Sequence, residues 1–397
     1  MTIAQRRLPN TLNLAATAIA AVDVTSLADA KEAIFYAENA GIRLRCLGEG
    51  SNVVLMPKVA GLVCYVKDAS VTLLSRDDEF VRIKVGAGKN WHELVEETLS
   101  QGWFGLENLS LIPGSVGAAP IQNIGAYGVE VAQFIESVAV MEANQIVREM
   151  PAKECAFAYR DSIFKARLKS TANAPVILSV TFCLNRRPDV NLSYAELAAF
   201  FEFKSPYAAK PKSKLPSPEQ VADAVTAIRR AKLPDPREYP NAGSFFKNPM
   251  INADATPRLE GRSVRPYKFG EGYKVSAAQL IDHAGWKGKR RGDVGCWANQ
   301  PLVLVNYGRA SASNLLAFAQ EVRQSVAEQF QIQLELEPSV VARELEPLAI
   351  DTSCALRAAS RSRLFTSLGS FAAREGRSVF GISFARPSIA FCATLLS

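Results

Sequence analysis

Ser244 stands between Gly243 and the pair Phe245-Phe246 in the run NAGSFFKNP at 241–249. A hydroxyl beside a mobile glycine and apolar side chains suits proton donation in a dry pocket. A serine in such a run also commonly satisfies its hydroxyl on nearby backbone, so the pattern allows either reading. Arg160 lies among aromatics in FAYRDSIF at 157–164, where it can serve an anion or pair with Asp161 or another acid. Further on, Ile332–Glu337 alternates apolar and polar residues, which predicts a strand with Glu335 and Glu337 on one face. That places carboxylates at a core edge, or toward solvent as alternating glutamates usually stand.

Two glycine-rich stretches could hold a ligand by backbone. Leu109–Gly128 carries Gly114, Gly117, Gly125 and Gly128, two prolines and no charged residue. It follows neither a helical nor a strand period, which predicts a long loop able to lie against a flat or phosphorylated ligand. The second stretch, Gly48-Glu49-Gly50-Ser51-Asn52, sits between the strand-like runs Ile42–Leu47 and Val53–Leu55. Strand, tight turn and strand make a diphosphate cradle or a plain hairpin turn equally well.

Composition narrows the chemistry. The chain has 397 residues, a net charge of +7 and 48% hydrophobic residues, as expected for a globular protein of two or three domains. Its basic residues are dispersed, which argues against nucleic acid as the partner. No apolar run is long enough to span a membrane, and the N-terminus does not read as a signal peptide. Seven cysteines, none in CxxC, read as buried free thiols of a reducing compartment, the cytoplasm. With only His92 and His283, neither a zinc site nor a Ser-His-Asp hydrolase is supported, and no metal is expected.

The elements that must position these groups follow from caps and periodicity. Ser26 opens a helix over Leu27–Ala40, stopped by Gly41; Asn90 and Glu93 open one that runs to about Gln101. Strands are expected at Leu62–Val66, Val71–Leu74, Val81–Val85, Ile135–Met141, Ile146–Glu149 and Val176–Cys183. A capping box of Ser193 and Glu196 is expected to start a short helix through Phe201, with Tyr194 in its first turn. Lys204–Pro216 holds four lysines and three prolines and reads as a linker. Beyond it lie a helix from Ser217-Pro218, another from Ser276, a strand at Pro301–Val305 and a long helix over Ser311–Phe330. Residues 344–397 contain no lysine, six arginines and weak periodicity; this atypical tail is expected to be poorly ordered and is given no function.

GEGSN at 48–52, IPGSVGAAPIQNIGAYG at 112–128, YRDS at 159–162, KLPDP at 232–236 and NAGSFFKNP at 241–249 together resemble the UDP-N-acetylenolpyruvoylglucosamine reductases. The resemblance runs co-linearly over about residues 10–341, in the longer subtype with a tyrosine loop that closes over substrate. It implies an α+β protein with a two-part FAD-binding module of the vanillyl-alcohol-oxidase type over 10–204, in subdomains of about 10–68 and 69–204. A linker at 205–216, a smaller α+β substrate-binding domain at 217–330 and a returning C-terminal strand at 331–343 would follow. The implied activity is NADPH-dependent reduction of UDP-N-acetylglucosamine enolpyruvate to UDP-N-acetylmuramate, a step of peptidoglycan precursor synthesis. Hydride passes from reduced FAD to C3, C2 is protonated, and NADPH and the UDP-sugar share one cleft of a monomeric cytoplasmic enzyme.

Carried onto this chain, the resemblance makes Ser244 the proton donor and gives Arg160 and Glu337 the polarisation of the substrate carboxylate. Phe245 and Phe246 would contribute pocket walls. Gly48, Glu49, Gly50, Ser51 and Asn52 would hold the FAD pyrophosphate. Pro113, Gly114, Ser115, Gly117, Ala118, Asn123, Gly125, Ala126 and Tyr127 would wrap the flavin. Tyr159, Tyr194, Lys232, Asn248, Tyr267 and Gln300 would bind substrate. The chain reads LELEPSV where the family reads LEPEV. Matching Phe330 and Leu334 places Glu337 at the acid; matching the LEP triplet puts Ser339 there, and Glu335 is the fallback. A non-catalytic or altered-specificity FAD and nucleotide-sugar binder of the same fold is the alternative reading.

Overall fold

The computed structural model describes residues 1–170, 175–204, 215–259 and 264–341. Most of the expected linker and the whole of the 344–397 tail lie outside the described residues. Three sheets carry the architecture. The first runs Ala4–Arg7, Thr17–Val24, Lys58–Val66, Leu44–Cys46, with its last three strands parallel. Helix Leu27–Asn39, capped by Ser26, returns between two of these strands and buries Ala30, Ala33, Ile34 and Ala37 against the sheet. The expected strand from Ile42 to Leu47 is shorter, at Leu44–Cys46.

The second sheet is five-stranded and antiparallel: Val147–Pro151, Ile135–Met141, Val176–Asn185, Phe80–Gly86, Val71–Arg76. Val81, Ile83 and Val85 alternate inward along one strand, the period-2 pattern of a half-buried sheet. Helix Trp91–Ser100, capped by the Asn90 side chain on the Glu93 amide, lays Trp91 edge-on to Phe182 at 6.1 Å.

The third sheet is Asn241–Ser244, Val303–Asn306, Val294–Cys296, Arg290–Arg291, all antiparallel. Helix Ala312–Phe330 covers it with Leu315, Phe318, Val322, Val326 and Phe330, and helix Ala277–His283 adds Leu280 and Ile281. Leu12, Leu14 and Val54 belong to this same core, so the N-terminal part of the chain packs directly into the C-terminal part. A small sheet of Met250–Ile251, Gly272–Lys274 and Tyr267–Phe269 lies alongside in sequence.

Two local expectations are corrected. The alternating run Ile332–Glu337 is not a strand. Only Leu336 bridges Phe246, and the regular strand forms later, at Ser339–Val341, in parallel with Val53–Leu55. Pro338 has no N–H to continue a ladder, so the chain turns between the two pairings. Alternation therefore breaks at the second carboxylate: Glu335 is 74% exposed while Glu337 is 11% exposed. The two glutamates do not share an environment as one strand face would require. The second correction concerns Ser193. Helix Ala195–Ala199 has Tyr194 at its N-cap with no side-chain cap bond, and the Ser193 hydroxyl donates to Asn191 Oδ1 at 2.6 Å. Glu196 is drawn away by Lys232, whose Nζ donates to it at 2.7 Å in a partly exposed ion pair.

The returning segment is anchored by Leu334, which is fully buried and whose carbonyl accepts from Arg323 Nε at 2.8 Å. Leu334→Ala should cost about 2–5 kcal/mol, read as a lowered denaturation midpoint by circular dichroism.

Candidate active site

The two glycine-rich stretches meet. The Ser51 hydroxyl donates to Pro113 O at 3.1 Å, and the Glu49 carboxylate accepts from Gly114 N at 3.1 Å and Asn90 Nδ2 at 2.7 Å. Asn52 Nδ2 donates a short hydrogen bond to Gln122 Oε1. A Cβ on Gly48 would lie 2.6 Å from the Ser115 hydroxyl, so only glycine permits this approach. Gly50 has φ +71 and a Cβ there would stand 2.4 Å from Pro9 O. The strands flanking this turn pair elsewhere, Leu44–Cys46 with Lys58–Val66 and Val53–Leu55 with Ser339–Val341, so it is no hairpin. Among the described residues, none of the backbone N–H groups from Gly48 to Asn52 has an acceptor. Consecutive unpaired N–H groups form a concave anion site, which fits a pyrophosphate. A small cavity of about 50 Å³ adjoins it, bounded by Cys46, Gly48, Ala87, Ser115, Ala118 and Ile177.

The rest of the glycine-rich loop is pinned by Asn123, which is buried at φ +45. Its side chain donates to Glu130 Oε2 at 2.8 Å and Ala158 O at 3.1 Å and accepts from Ala132 N at 3.1 Å. Gly125 and Ala126 pair with Glu130 and Val129 in a two-residue hairpin, and Tyr127 turns its ring toward Tyr194 at 5.2 Å. His92 holds the start of the loop, its Nδ1 accepting from Leu111 N at 3.0 Å.

Arg160 is brought to this loop from a tight turn in which Ala158 and Asp161 exchange backbone hydrogen bonds. It has φ +54, a strained backbone for arginine, and its carbonyl accepts from Lys165 Nζ at 3.1 Å. One guanidinium nitrogen donates to Gly125 O at 2.7 Å, and Nε lies 3.1 Å from Glu337 Oε1. The acid that Arg160 meets is thus Glu337, not its neighbour Asp161. Burial raises the Glu337 carboxyl above its usual range, against the opposing pull of Arg160, Lys165 and Lys247. Glu335 instead faces solvent, 3.2 Å from Lys247 Nζ.

Ser244 ends the Asn241–Ser244 strand, half-buried and paired with Val303. The next residue, Phe245, accepts from Glu337 N at 3.1 Å, so serine and acid arrive side by side. Among the described residues the Ser244 hydroxyl makes no hydrogen bond, which removes the reading of a locally satisfied serine. Phe245 and Phe246 are at most 1% exposed and lie in the core behind Ser244; they brace the strand and do not wall a pocket.

The expected substrate residues come from several elements. Tyr159 lies near Asn248, whose presence holds its hydroxyl pKa down against burial, and Asn248 Oδ1 accepts from Ala277 N at 2.9 Å. Tyr267 is on the Tyr267–Phe269 strand and 48% exposed. Lys232, at the end of helix Pro218–Lys232, pairs with Glu196 on the short helix that Tyr194 precedes. Gln300 precedes the strand that pairs with Ser244, and its Oε1 is buried without a partner. Two cations escaped the sequence reading. Lys274 packs against the Tyr159 ring at 3.7 Å, and Arg229, near Tyr127, has a buried Nε with no partner. Neither has a sequence signal: one is a lysine in a short aromatic strand, the other an arginine on a helix rich in basic residues.

The profile of the UDP-N-acetylenolpyruvoylglucosamine reductase C-terminal domain matches residues 235–341, and that of an FAD binding domain matches 18–150. The UDP-N-acetylenolpyruvoylglucosamine reductase of Alcanivorax borkumensis is 42% identical over 332 residues, covering 83% of this chain and 92% of that one. That of Bdellovibrio bacteriovorus is 40% identical over 333 residues, covering 83% and 96%. The crystal structure of the Thermus caldophilus reductase superposes with a TM-score of 0.56 at 23% identity, covering 86% of this chain and all of that one, and so shares the fold. With its FAD-binding half, its substrate-domain half and relatives matched along nearly their whole length, the chain belongs to the UDP-N-acetylenolpyruvoylglucosamine reductase family.

Proposed function

We propose that the protein reduces the enolpyruvyl group of UDP-N-acetylglucosamine enolpyruvate to give UDP-N-acetylmuramate, with NADPH as reductant, in peptidoglycan precursor synthesis. The observation that supports this reading is that Glu337 hydrogen-bonds Phe245, the residue after Ser244, and lies 3.1 Å from Arg160 Nε. FAD bound along Gly48–Asn52 and the Pro113–Tyr127 loop supplies the hydride-transfer chemistry. The reading also has NADPH and the sugar nucleotide use one cleft in turn, and the chain act as a monomer in the cytoplasm. The free state of the five described cysteines fits a reducing compartment.

Each residue's part follows from its surroundings. Adding hydride to C3 of the enol ether pushes negative charge into the substrate carboxylate. Arg160, fixed by Gly125 O and Glu337, offers a positive charge that needs no rearrangement to meet it. Burial raises the Glu337 carboxyl, so when the substrate carboxylate arrives and takes up the charge of Arg160, Glu337 gains a proton and donates a hydrogen bond to a carboxylate oxygen where a charged acid would repel it. Ser244 then gives its proton to C2. Its hydroxyl is a weak acid, but it is free of other bonds and braced from behind by two buried phenylalanines. Lys232 and Asn248 hold the diphosphate or sugar, and Tyr194 closes over the nucleotide.

The purified protein should be yellow and should oxidise NADPH when the enolpyruvyl UDP-sugar is present; a preparation that takes up no FAD would sink the reading. Gly50→Ala should purify with little bound flavin absorbance, because its backbone conformation and the Pro9 carbonyl both exclude a Cβ.

Ser244→Ala should let NADPH bleach the flavin at an unchanged rate under anaerobic conditions. Its product formation should fall by about 10²–10⁴-fold. Equal loss of both half-reactions would make Ser244 structural.

Glu337 has a raised folded-state pKa, so its protonated form persists to higher pH and is lost as pH rises through that value. Substrate reduction should therefore fall on the alkaline side. Glu337→Gln, which keeps a donor, should flatten that limb in stopped-flow traces; an unchanged profile would assign the limb elsewhere.

A further inference from the structure

Lys274 closes the short Gly272–Lys274 strand and is only 6% exposed. Its ammonium lies 3.4 Å from the centre of the Phe269 ring and 3.7 Å from that of Tyr159, with the Tyr267 ring at 5.9 Å. Among the described residues, no carboxylate reaches it within ion-pair distance. The charged groups that face it are Glu130, from the glycine-rich loop hairpin, and Arg160, from the tight turn; Tyr159 and Tyr267 are the titratable rings. Both charges are already engaged. Glu130 Oε2 accepts from Asn123 Nδ2 at 2.8 Å, and Arg160 holds Glu337 at 3.1 Å.

This is an unfavourable place for a cation unless the charge has a use. Ring faces attract an ammonium, but by less than its lost hydration, and burial accordingly pulls Lys274 down to about 8. A methionine would fill the same gap between the rings without that penalty. The rings it grips are those of the substrate side. Tyr159 carries the contact to Asn248, and Tyr267 pairs with Lys274 across the strand register.

We propose that Lys274 is a positioning residue for the anionic substrate: clamped between Tyr159 and Phe269, it fixes the wall bearing Tyr159, Asn248 and Tyr267 and keeps there a positive charge that an arriving anion balances. The inference rests on the enolpyruvyl UDP-sugar as substrate. Because no resident acid neutralises the ammonium, its charge biases the open cleft toward ligands with a phosphate or carboxylate. Loss of the proton releases the rings and removes the bias together, so affinity weakens as pH rises through the neighbourhood of 8.

The test is a titration of wild type, Lys274→Met and Lys274→Arg with the enolpyruvyl UDP-sugar, following the oxidised-flavin spectrum from about pH 7 to about pH 9.5. Bound FAD and circular dichroism confirm folding of each variant. Wild type should bind with a Kd that rises with pH. Lys274→Met should bind about tenfold more weakly at pH 7, without that pH-dependent component. Lys274→Arg, which keeps its charge over the whole range, should stay within about threefold of wild type at pH 7 and show a flat profile. A Lys274→Met enzyme with the wild-type Kd and pH profile would overturn this inference alone. Wild-type enzyme that does not bind the sugar nucleotide would overturn the functional reading and this inference with it.

Discussion

Everything at the site depends on where the chain goes after its last long helix. Helix Ala312–Phe330 ends at Gln331, whose left-handed backbone turns the chain. From there it passes behind Ser244, where Glu337 N donates to Phe245 O, and then reaches the first half of the protein, where Ser339 N donates to Asn52 O. The Ser339–Val341 strand completes the join by pairing in parallel with Val53–Leu55. A few backbone hydrogen bonds thereby connect the cofactor cradle, the serine strand and the acid. Parallel pairing of segments this distant in sequence carries a high loop-closure cost. It is offset by the apolar core that Leu12, Leu14 and Val54 share with the C-terminal helices.

The buried charges are arranged for chemistry more than for stability. Arg160 and Glu337 form an ion pair of which each member is less than a fifth exposed. Such pairs return little net stability after desolvation, and here desolvation wins at the carboxyl, since the Glu337 pKa is raised despite three nearby cations. Lys274 carries a similar penalty with, among the described residues, no carboxylate in ion-pair range and only Glu130 acting from farther away. A cleft with this excess of positive charge is unfavourable when open to nothing, and is suited to a substrate that brings phosphate and carboxylate groups. The strained φ of Arg160 belongs to the same economy of function, held by Ala158, Asp161 and Lys165 around it.

Local structure was legible wherever short-range rules decide it. Ser26, Asn90, Ser217, Ser276 and Ser311 cap helices as their spacing predicts. The failures came where a distant partner won. Glu196 was expected to complete a cap and instead meets Lys232, thirty-six positions away. Phe245 and Phe246 were expected beside the pocket and are buried in the core that Leu12, Leu14 and the C-terminal helices build around the end of this strand.

The sequence by itself singled out the glycine turn, the glycine-rich loop, the serine and the arginine as candidates from their residue types, while leaving the turn, the serine and the arginine two readings each. It also narrowed the acid to two glutamates. Only the tertiary structure separates their environments. Period-2 alternation would place Glu335 and Glu337 alike, but the bridge to Phe246 ends at Leu336 and Pro338 cannot extend it. The turn forced there leaves Glu335 in water and carries Glu337 onto Arg160. The unpartnered charge of Lys274 was likewise invisible in sequence, because an ammonium's burial is set by the rings that fold over it and not by its neighbours in the chain.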